Sequence, residues 1–295
     1  MLTRIYLIYI LLFLSFSANC DDSPGSAHTA NPVADACLKI SSKLASVELT
    51  ECTRLQLTAS GSESFNKLPL LLKEYPPLSQ RPEPQARILM LGGIHGDEYS
   101  SITIMFKWMH ILEKHHSGRF HWKIAPLVNP DGLLQKRSQR MNANGVDLNR
   151  NFPYNNNHQA SLDYWKNRNY SDPRRYPGKS ALSEKETQWI VELIKNFKPD
   201  AIVAVHAPYG IIDFDGPPKP PSRLGSLHLK LLGTYPGSLG NYAGLQQQIP
   251  VVTVELPYAG IMPSKKEVSR IWIDLVRWLK KNVPLKTKEK ALVRK

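Results

Sequence analysis

Cysteine is scarce in this chain, accounting for three of 295 residues. A zinc site built from four thiolates is therefore excluded, and a bound metal ion would need histidine and carboxylate ligands. Long apolar runs are also lacking. The run Ile5 to Phe16 is shorter than the ~20 residues that a membrane-spanning helix needs.

This apolar run follows Arg4 and leads through small residues to Cys20. A basic residue, an apolar stretch and small residues in this order are typical of a secretory signal. We predict a signal peptide over residues 1–20 and export to the periplasm or the exterior. Asn19 stands where lipoprotein signals usually carry glycine or alanine, so simple cleavage and a membrane anchor on lipidated Cys20 both stay open.

Two cysteines, Cys37 and Cys52, remain after the leader. In an oxidising compartment they would close a short loop as a disulfide, and two buried free thiols are the alternative. They lie in residues 21–86, which we interpret as a linker and an N-terminal extension packed on the domain that follows.

Acidic residues are fewer than basic ones, 25 against 38, and the net charge is +13. Part of the excess lies in a basic C-terminal tail, residues 283–295. Such a charge would attract an anionic cell-wall polymer or a membrane surface, or it belongs to a solvated tail. Nucleic acid is not an expected partner, because an exported protein is separated from it and because aromatic residues do not interleave with the basic residues of the tail.

The hydrophobic pattern between these ends alternates between strand and helix. The predicted strands cover residues 87–92, 123–128, 201–205 and 251–255, and the predicted helices cover 99–114, 183–197 and 265–282. We therefore expect one catalytic domain over residues 87–282. Separately, we expect the protein to be a monomer. Its fold class is α/β: an α/β/α sandwich with a mixed, mostly parallel twisted sheet and helices on both faces.

Four side chains that can serve a metal site follow three of these strands. His95 and Glu98 come after the first strand, and His206 and Glu255 follow two others. Because the carboxyl ends of parallel strands meet at one edge of a sheet, we expect the four side chains to converge. Catalytic zinc takes three protein ligands and a water. The pattern predicts a zinc site with one of the four as a base, and a lone histidine or a capping glutamate is the alternative for each.

A second polar cluster follows the turn Asn129-Pro130-Asp131-Gly132. It contains Arg140, Asn149 and Arg150, whose N–H groups can hold a carboxylate through two hydrogen bonds or stabilise an oxyanion. Solvated loop arginines are the alternative interpretation.

Taken together, the motifs carry a resemblance to a known family. In chain order they read HGDE, NPDG, GVDLNRNFP, VAVHAPYG and VVTVELP. Over residues 87–275 the chain resembles the zinc metallocarboxypeptidases of the carboxypeptidase A type. The segments Asp213 to Pro217 and Gly237 to Tyr242 resemble the bacterial murein peptide amidases within that family. This resemblance implies hydrolysis of the bond between γ-D-glutamate and meso-diaminopimelate in peptidoglycan stem peptides.

The resemblance also implies roles for the converging side chains. One zinc ion would be bound by His95, Glu98 and His206. Glu255 would be the general base that later acts as an acid.

The polar cluster takes its roles from the same resemblance. Arg140 aligns with the arginine that polarises the scissile carbonyl, and Asn149 and Arg150 align with the pair that binds the carboxylate of the departing residue. The tyrosine that covers the substrate in this family has two candidates here, Tyr235 and Tyr242.

Substrate specificity is expected to depend on residues after His206. The carboxylate of Asp215 would meet the amino group of diaminopimelate, and a turn-forming role is the alternative. Two other functions stay open: a zinc deacylase of N-acylated amino acids, and a non-catalytic protein that binds cell-wall peptides. Asn149-Arg150 favours the peptidase over the deacylase.

Overall fold

The computed structural model describes residues 31–283. The helices are α1 (Pro32–Lys43), α2 (Leu49–Arg54), α3 (Tyr99–His115), α4 (Pro130–Leu134), α5 (His158–Arg168), α6 (Lys185–Phe197) and α7 (Lys265–Asn282). The strands are β1 (Thr58–Glu63), β2 (Pro69–Tyr75), β3 (Ala86–Leu91), β4 (Phe120–Ala125), β5 (Ala201–His206), β6 (Ile211–Asp215), β7 (Arg223–Leu224), β8 (Leu227–Leu229) and β9 (Val251–Glu255).

The strands form a nine-stranded sheet in the order β1-β2-β4-β3-β5-β9-β6-β8-β7. The central strands β4, β3, β5 and β9 are parallel to one another. Antiparallel pairs join this centre to the outer strands, β2 to β4 on one side and β6 to β9 on the other. The predicted mixed α/β fold is confirmed, although the parallel pairing is concentrated in the centre of the sheet.

Helices cover both faces of the sheet. On one face, α3 and α7 bury apolar side chains in a cluster with β3, β5 and β9. On the other face, α6 buries Trp189, Ile190 and Phe197 against the same strands. Strands covered on both faces need apolar side chains along their whole length, which is why β3, β5 and β9 appear in the sequence as continuous apolar runs.

Two strands and one helix begin at residues other than those predicted, and β3 differs by only one residue, beginning at Ala86 rather than residue 87. The strand predicted at 123–128 is β4, Phe120–Ala125, in which buried Phe120 and Trp122 alternate with partly exposed His121. The chain leaves the sheet after Ala125. The helix predicted from residue 183 begins at Lys185.

Residues 31–86, assigned to the extension, contribute α1, α2, β1 and β2, and β2 pairs with β4 of the sheet. Cys37 in α1 and Cys52 in α2 form the predicted disulfide, and both side chains are fully buried. No helix within residues 31–283 is both long and apolar enough to cross a membrane. The predicted signal peptide, Cys20 and nearly all of the basic tail lie outside the described residues.

We expect the double variant Cys37→Ala/Cys52→Ala to unfold more easily than the oxidised wild type. The disulfide closes a loop with a sequence separation of 15. Closing a loop of this length restricts the unfolded chain and contributes about 3 kcal/mol. Urea denaturation would measure the loss, with dithiothreitol-reduced wild type as the control. A free energy of unfolding that is unchanged in both samples would contradict this.

Candidate active site

The predicted metal ligands meet at one edge of the central sheet. His206 ends β5 and Glu255 ends β9, where they occupy paired positions. His95 and Glu98 lie on the loop between β3 and α3. A side chain at Gly96 would collide with the backbone at Gly132, so this loop packs directly on the Asn129-Pro130-Asp131-Gly132 turn.

Three side chains present their ligand atoms to a common point. His95 Nδ1 lies 2.7 Å from Glu98 Oε1 and 3.2 Å from His206 Nδ1, and His206 Nδ1 lies 3.2 Å from Glu98 Oε2. A tetrahedral zinc ion with bonds of about 2.0–2.2 Å separates its ligand atoms by roughly 3.3 Å. These three buried residues form a group that can hold a metal ion, and their spacing fits zinc.

Asp147 orients one of these ligands. Its Oδ1 accepts a hydrogen bond from His95 Nε2 at 3.1 Å. Burial alone would raise the pKa of Asp147, but the charges of Arg140 and His95 hold it well below the usual value, so the carboxylate is ionised. Since a carboxylate only accepts, the proton of a neutral His95 lies on Nε2 and its Nδ1 lone pair faces the metal position.

This role of Asp147 could not be predicted from the sequence. The residue lies in the motif GVDLNRNFP, but nothing in the spacing pairs it with His95, which is 52 positions away. A carboxylate behind a metal-binding histidine is a recurring arrangement. That general rule would have suggested an aspartate without indicating which one.

Arg140 lies beside the metal ligands, as predicted. Its Nε and Nη2 both lie 2.9 Å from Asp147 Oδ2, and its Nη1 is 3.6 Å from Glu98 Oε1. Burial alone would lower the pKa of Arg140, but Asp147 and Glu98 raise it above the ordinary value. A permanent positive charge therefore lies at the edge of the metal position.

Glu255 has the features of a base. Its side chain is buried, and within the described residues its Oε2 has no hydrogen-bond partner. Burial raises the pKa of this carboxyl group. A carboxylate with a free oxygen beside a metal position is placed to accept a proton from water.

All eight predicted site residues line one cleft of about 320 Å³. They are His95, Glu98, Arg140, Asn149, Arg150, His206, Asp215 and Glu255. The tertiary structure thus brings together every side chain that the sequence assigned to the site.

Asn149 and Arg150 form a wall of this cleft that fits a carboxylate. Asn149 Oδ1 accepts a hydrogen bond from the Leu239 N–H at 2.9 Å, which leaves its Nδ2 available as a donor. Arg150 is buried, its Nε has no hydrogen-bond partner in the described part of the chain, and burial lowers its pKa. An anionic ligand would satisfy this buried guanidinium.

The two candidate tyrosines occupy different places. The Tyr235 ring lines the cleft and lies 4.3 Å from the guanidinium carbon of Arg150. Tyr242 stacks on Phe152 with the ring centres 5.9 Å apart and faces a separate groove. The geometry favours Tyr235 as the residue that covers a bound ligand.

The two aspartates after His206 differ in their partners. Asp213 Oδ1 accepts hydrogen bonds from the N–H groups of Phe214 and Leu232, at 2.9 and 3.0 Å, so it stabilises a turn. Asp215 lines the cleft and packs against glycines of a π-helix, Gly240–Gln246. Burial, with the charge of Asp213, raises the pKa of Asp215 to about 7.

Comparison with known proteins gives a consistent result. The profile of the family described as zinc carboxypeptidase matches residues 38–212. Murein peptide amidase A of Escherichia coli K12 is 31% identical over 205 residues, which cover 64% of this chain and 79% of the relative. Murein peptide amidase A of Vibrio campbellii is 30% identical over 186 residues, which cover 59% and 71%.

Solved structures show the same fold. The crystal structure of murein-tripeptide amidase from Escherichia coli O157 has a TM-score of 0.51 at 26% identity and covers 74% of this chain and 90% of that one. Carboxypeptidase A from Helicoverpa armigera has a TM-score of 0.58 at 17% identity and covers 81% and 69%, a likeness of fold alone.

The fold, the cleft and these matches define a zinc-dependent metallocarboxypeptidase, a peptide hydrolase. More particularly, the chain belongs to the zinc carboxypeptidase family, whose profile matches more than half of its residues. The sequence-based assignment to this family and to an enzyme is confirmed. Membership of this enzyme family argues against the alternative of a non-catalytic binding protein.

We expect Asp215→Asn to stabilise the protein at pH 8. Because the pKa of Asp215 is raised from 3.8 to about 7, the folded state holds a proton that the unfolded state has lost, and stability falls as pH rises through this window. The variant should melt at a higher temperature than the wild type at pH 8, with the difference shrinking towards pH 4. Thermal denaturation at both pH values measures this.

The matched control for this prediction is Asp163→Asn, the same change at an exposed position of α5. Its effect on the melting temperature should not grow with pH. A stabilisation by Asp215→Asn that is equal at both pH values would contradict the prediction.

Proposed function

We propose that the protein is a murein peptide amidase that hydrolyses the amide bond between γ-D-glutamate and meso-diaminopimelate. The observation that carries this proposal is the charge pattern of the cleft. Arg150 and Asp215 line the same cavity as the metal-binding residues. Diaminopimelate offers a carboxylate to the first and a side-chain ammonium group to the second, and relatives of this chain are named murein peptide amidase A.

The wall formed by Asn149 and Arg150 would fix the position of the substrate along the cleft. Arg150, through its guanidinium, and Asn149, through Nδ2, would bind the carboxylate of the departing residue. This anchor would place the preceding amide bond at the edge of the sheet where His95 and His206 meet. Tyr235, already in contact with Arg150, would cover the bound residue and exclude water.

His95, Glu98 and His206 would hold one zinc ion. When bound, zinc would lower the pKa of water in the site towards ~7 and polarise the scissile carbonyl. Glu255 would take the proton from the attacking water at its carboxylate and later deliver it to the leaving amine. Arg140 would stabilise the negative charge that develops on the carbonyl oxygen.

Asp215 would select the departing residue. Its carboxylate accepts no hydrogen bond from the described residues in this structure, and a substrate ammonium group would be its partner. Asp213 also lines the cleft, but its Oδ1 already accepts hydrogen bonds from the backbone at Phe214 and Leu232, so Asp215 is the better candidate for this role.

We infer that this activity takes place outside the cytoplasm, in the periplasm or after secretion. The disulfide between Cys37 and Cys52 supports this, because such bonds persist in oxidising compartments. Anchoring through lipidated Cys20 is a proposal that mass spectrometry of the mature N-terminus would test.

The proposed substrate is tested by incubating zinc-loaded protein with L-Ala-γ-D-Glu-meso-diaminopimelate and reading the products by mass spectrometry. We expect L-Ala-D-Glu and free diaminopimelate. Replacing diaminopimelate by leucine should reduce kcat/KM by about tenfold or more, since one charge pair of about 1.4 kcal/mol is lost. Hydrolysis of N-acylated amino acids without any cleavage of the tripeptide would favour the deacylase instead.

The role of Asp215 is tested by measuring the same two substrates with the Asp215→Asn variant. Asp215→Asn keeps the shape of the side chain but loses its charge, so the preference for diaminopimelate over leucine should disappear. The wild-type preference should also rise with pH between 6 and 8, because Asp215 must lose its proton to bind a cation. A variant with unchanged preference would exclude Asp215 while leaving the amidase activity in place.

Variants of the catalytic residues should separate zinc binding from turnover. Glu255→Gln should retain one zinc ion per chain and lose hydrolysis, because the amide cannot accept the proton of water. Arg140→Ala should lower kcat about a hundredfold or more through loss of oxyanion stabilisation. Atomic absorption and steady-state kinetics measure both effects, and near-normal turnover in either zinc-loaded variant would remove that residue from its role.

A further inference from the structure

The segment from Arg140 to Asp147, here called the arginine loop, places two site residues at its two ends. Asn142 closes the turn between them. Its Oδ1 accepts hydrogen bonds from the N–H groups of Asn144 and Val146, both at 3.1 Å. Its own N–H donates to the Val146 carbonyl at 3.0 Å. The turn is therefore built around a single side chain.

Glutamates at the start of α6 hold this turn from outside the cleft. Asn142 Nδ2 lies 2.7 Å from Glu184 Oε2 and 3.2 Å from Glu186 Oε2. Asn144 Nδ2 also donates to Glu184 Oε2, at 2.7 Å. The other carboxylate oxygen of Glu184 accepts from Ser183 Oγ at 2.6 Å. Glu184 thus connects both asparagines of the arginine loop to a helix that is packed against the sheet.

Burying the two glutamates that form this connection costs free energy of folding. Glu184 and Glu186 are buried, with exposed fractions of 4% and 0%. Burial first, and then the negative charges of Asp131 and Glu184, raise the pKa of Glu186 to about 7, and within the described residues its Oε1 has no hydrogen-bond partner. Neighbouring buried carboxylates oppose folding unless their hydrogen bonds compensate. The hydrogen bonds that they do make run mainly to the arginine loop.

The far ends of the loop are coupled to each other at the site. Arg140 donates through Nε and Nη2 to Asp147 Oδ2, and Asp147 Oδ1 is bound to His95. A shift of the turn would therefore displace both the arginine and the carboxylate behind the metal ligand. Misplacement by about 1 Å can reduce turnover on the order of a hundredfold.

We propose that Glu184 is a positioning residue, which acts through Asn142 to hold Arg140 and Asp147 at the metal edge of the cleft. The expected effect of Glu184 on turnover rests on the proposed function. The positioning role makes an independent prediction for metal affinity, because Asp147 orients His95 whether or not a substrate binds.

The test compares Glu184→Ala, at the residue that precedes α6, with Glu192→Ala, the same change at an exposed position of α6. Glu184→Ala should lower kcat about tenfold or more, with KM changed less than about threefold, because Arg140 acts on the transition state. Zinc affinity, measured by chelator competition, should fall by about tenfold, a typical effect of disturbing a carboxylate behind a metal-binding histidine. Glu192→Ala should change neither quantity.

A double-variant cycle identifies the route of the effect. In an Arg140→Ala background, the further loss of kcat caused by Glu184→Ala should shrink to less than about threefold, because coupled residues are not additive. Multiplicative losses, or unchanged kcat and zinc affinity in folded Glu184→Ala, would overturn the proposal. If Glu184→Ala fails to fold, Glu184→Gln, which keeps the shape of the side chain, enters the same cycle.

The outcomes distinguish this inference from the proposed function. Loss of zinc affinity in Glu184→Ala, with no stem-peptide cleavage by the wild type, would support the positioning role and refute the proposed substrate. Cleavage by the wild type with an unaffected Glu184→Ala variant would do the reverse.

Discussion

The buried carboxylate of Asp147 is the contact on which the arrangement of the site depends. One oxygen accepts from His95 Nε2 and the other from the guanidinium of Arg140. The first contact directs His95 Nδ1 to the metal position, and the second fixes a positive charge beside it. Because Asp147 is fully buried, the loss of either partner would leave a desolvated charge, which couples the metal ligand and the arginine energetically.

The cleft around this contact carries positive and negative side chains on different walls. Metal-binding side chains lie at the carboxyl ends of β3 and β5, Arg150 provides a buried cation on one wall, and Asp215 provides an anion with a raised pKa on another. Both charged groups lack a full set of partners among the described residues: Arg150 Nε has no hydrogen-bond acceptor, and only burial and the charge of Asp213 act on Asp215. A substrate that carries both signs of charge satisfies both walls, which is the physical basis of the proposed specificity.

Much of this could be predicted from the sequence, because the signals were local. Strands β3, β5 and β9 are buried on both faces and therefore appear as apolar runs, and the polar residues that end them mark the edge of the site. The strand predicted at 123–128 lies three residues late because Pro126 to Val128 continue the apolar run. This stretch lies outside β4 and forms hydrogen bonds with the residues that follow β3, from Val128 to Gly92 and from Asn129 to Gly93, and such distant partners leave no local pattern.

The sequence by itself determined the family, and it selected the candidate metal ligands, base and arginines that the fold brings into one cleft, since these choices depend on residue type and order along the chain. Only the tertiary structure decided that Asp147 supports His95, that Tyr235 rather than Tyr242 faces the cleft, and that Asp213 serves a turn while Asp215 stays free. The physical reason is that hydrogen-bond partners and pKa values are set by burial and by groups from distant parts of the chain. Asn142 and Glu184, 42 positions apart, meet only in the folded protein.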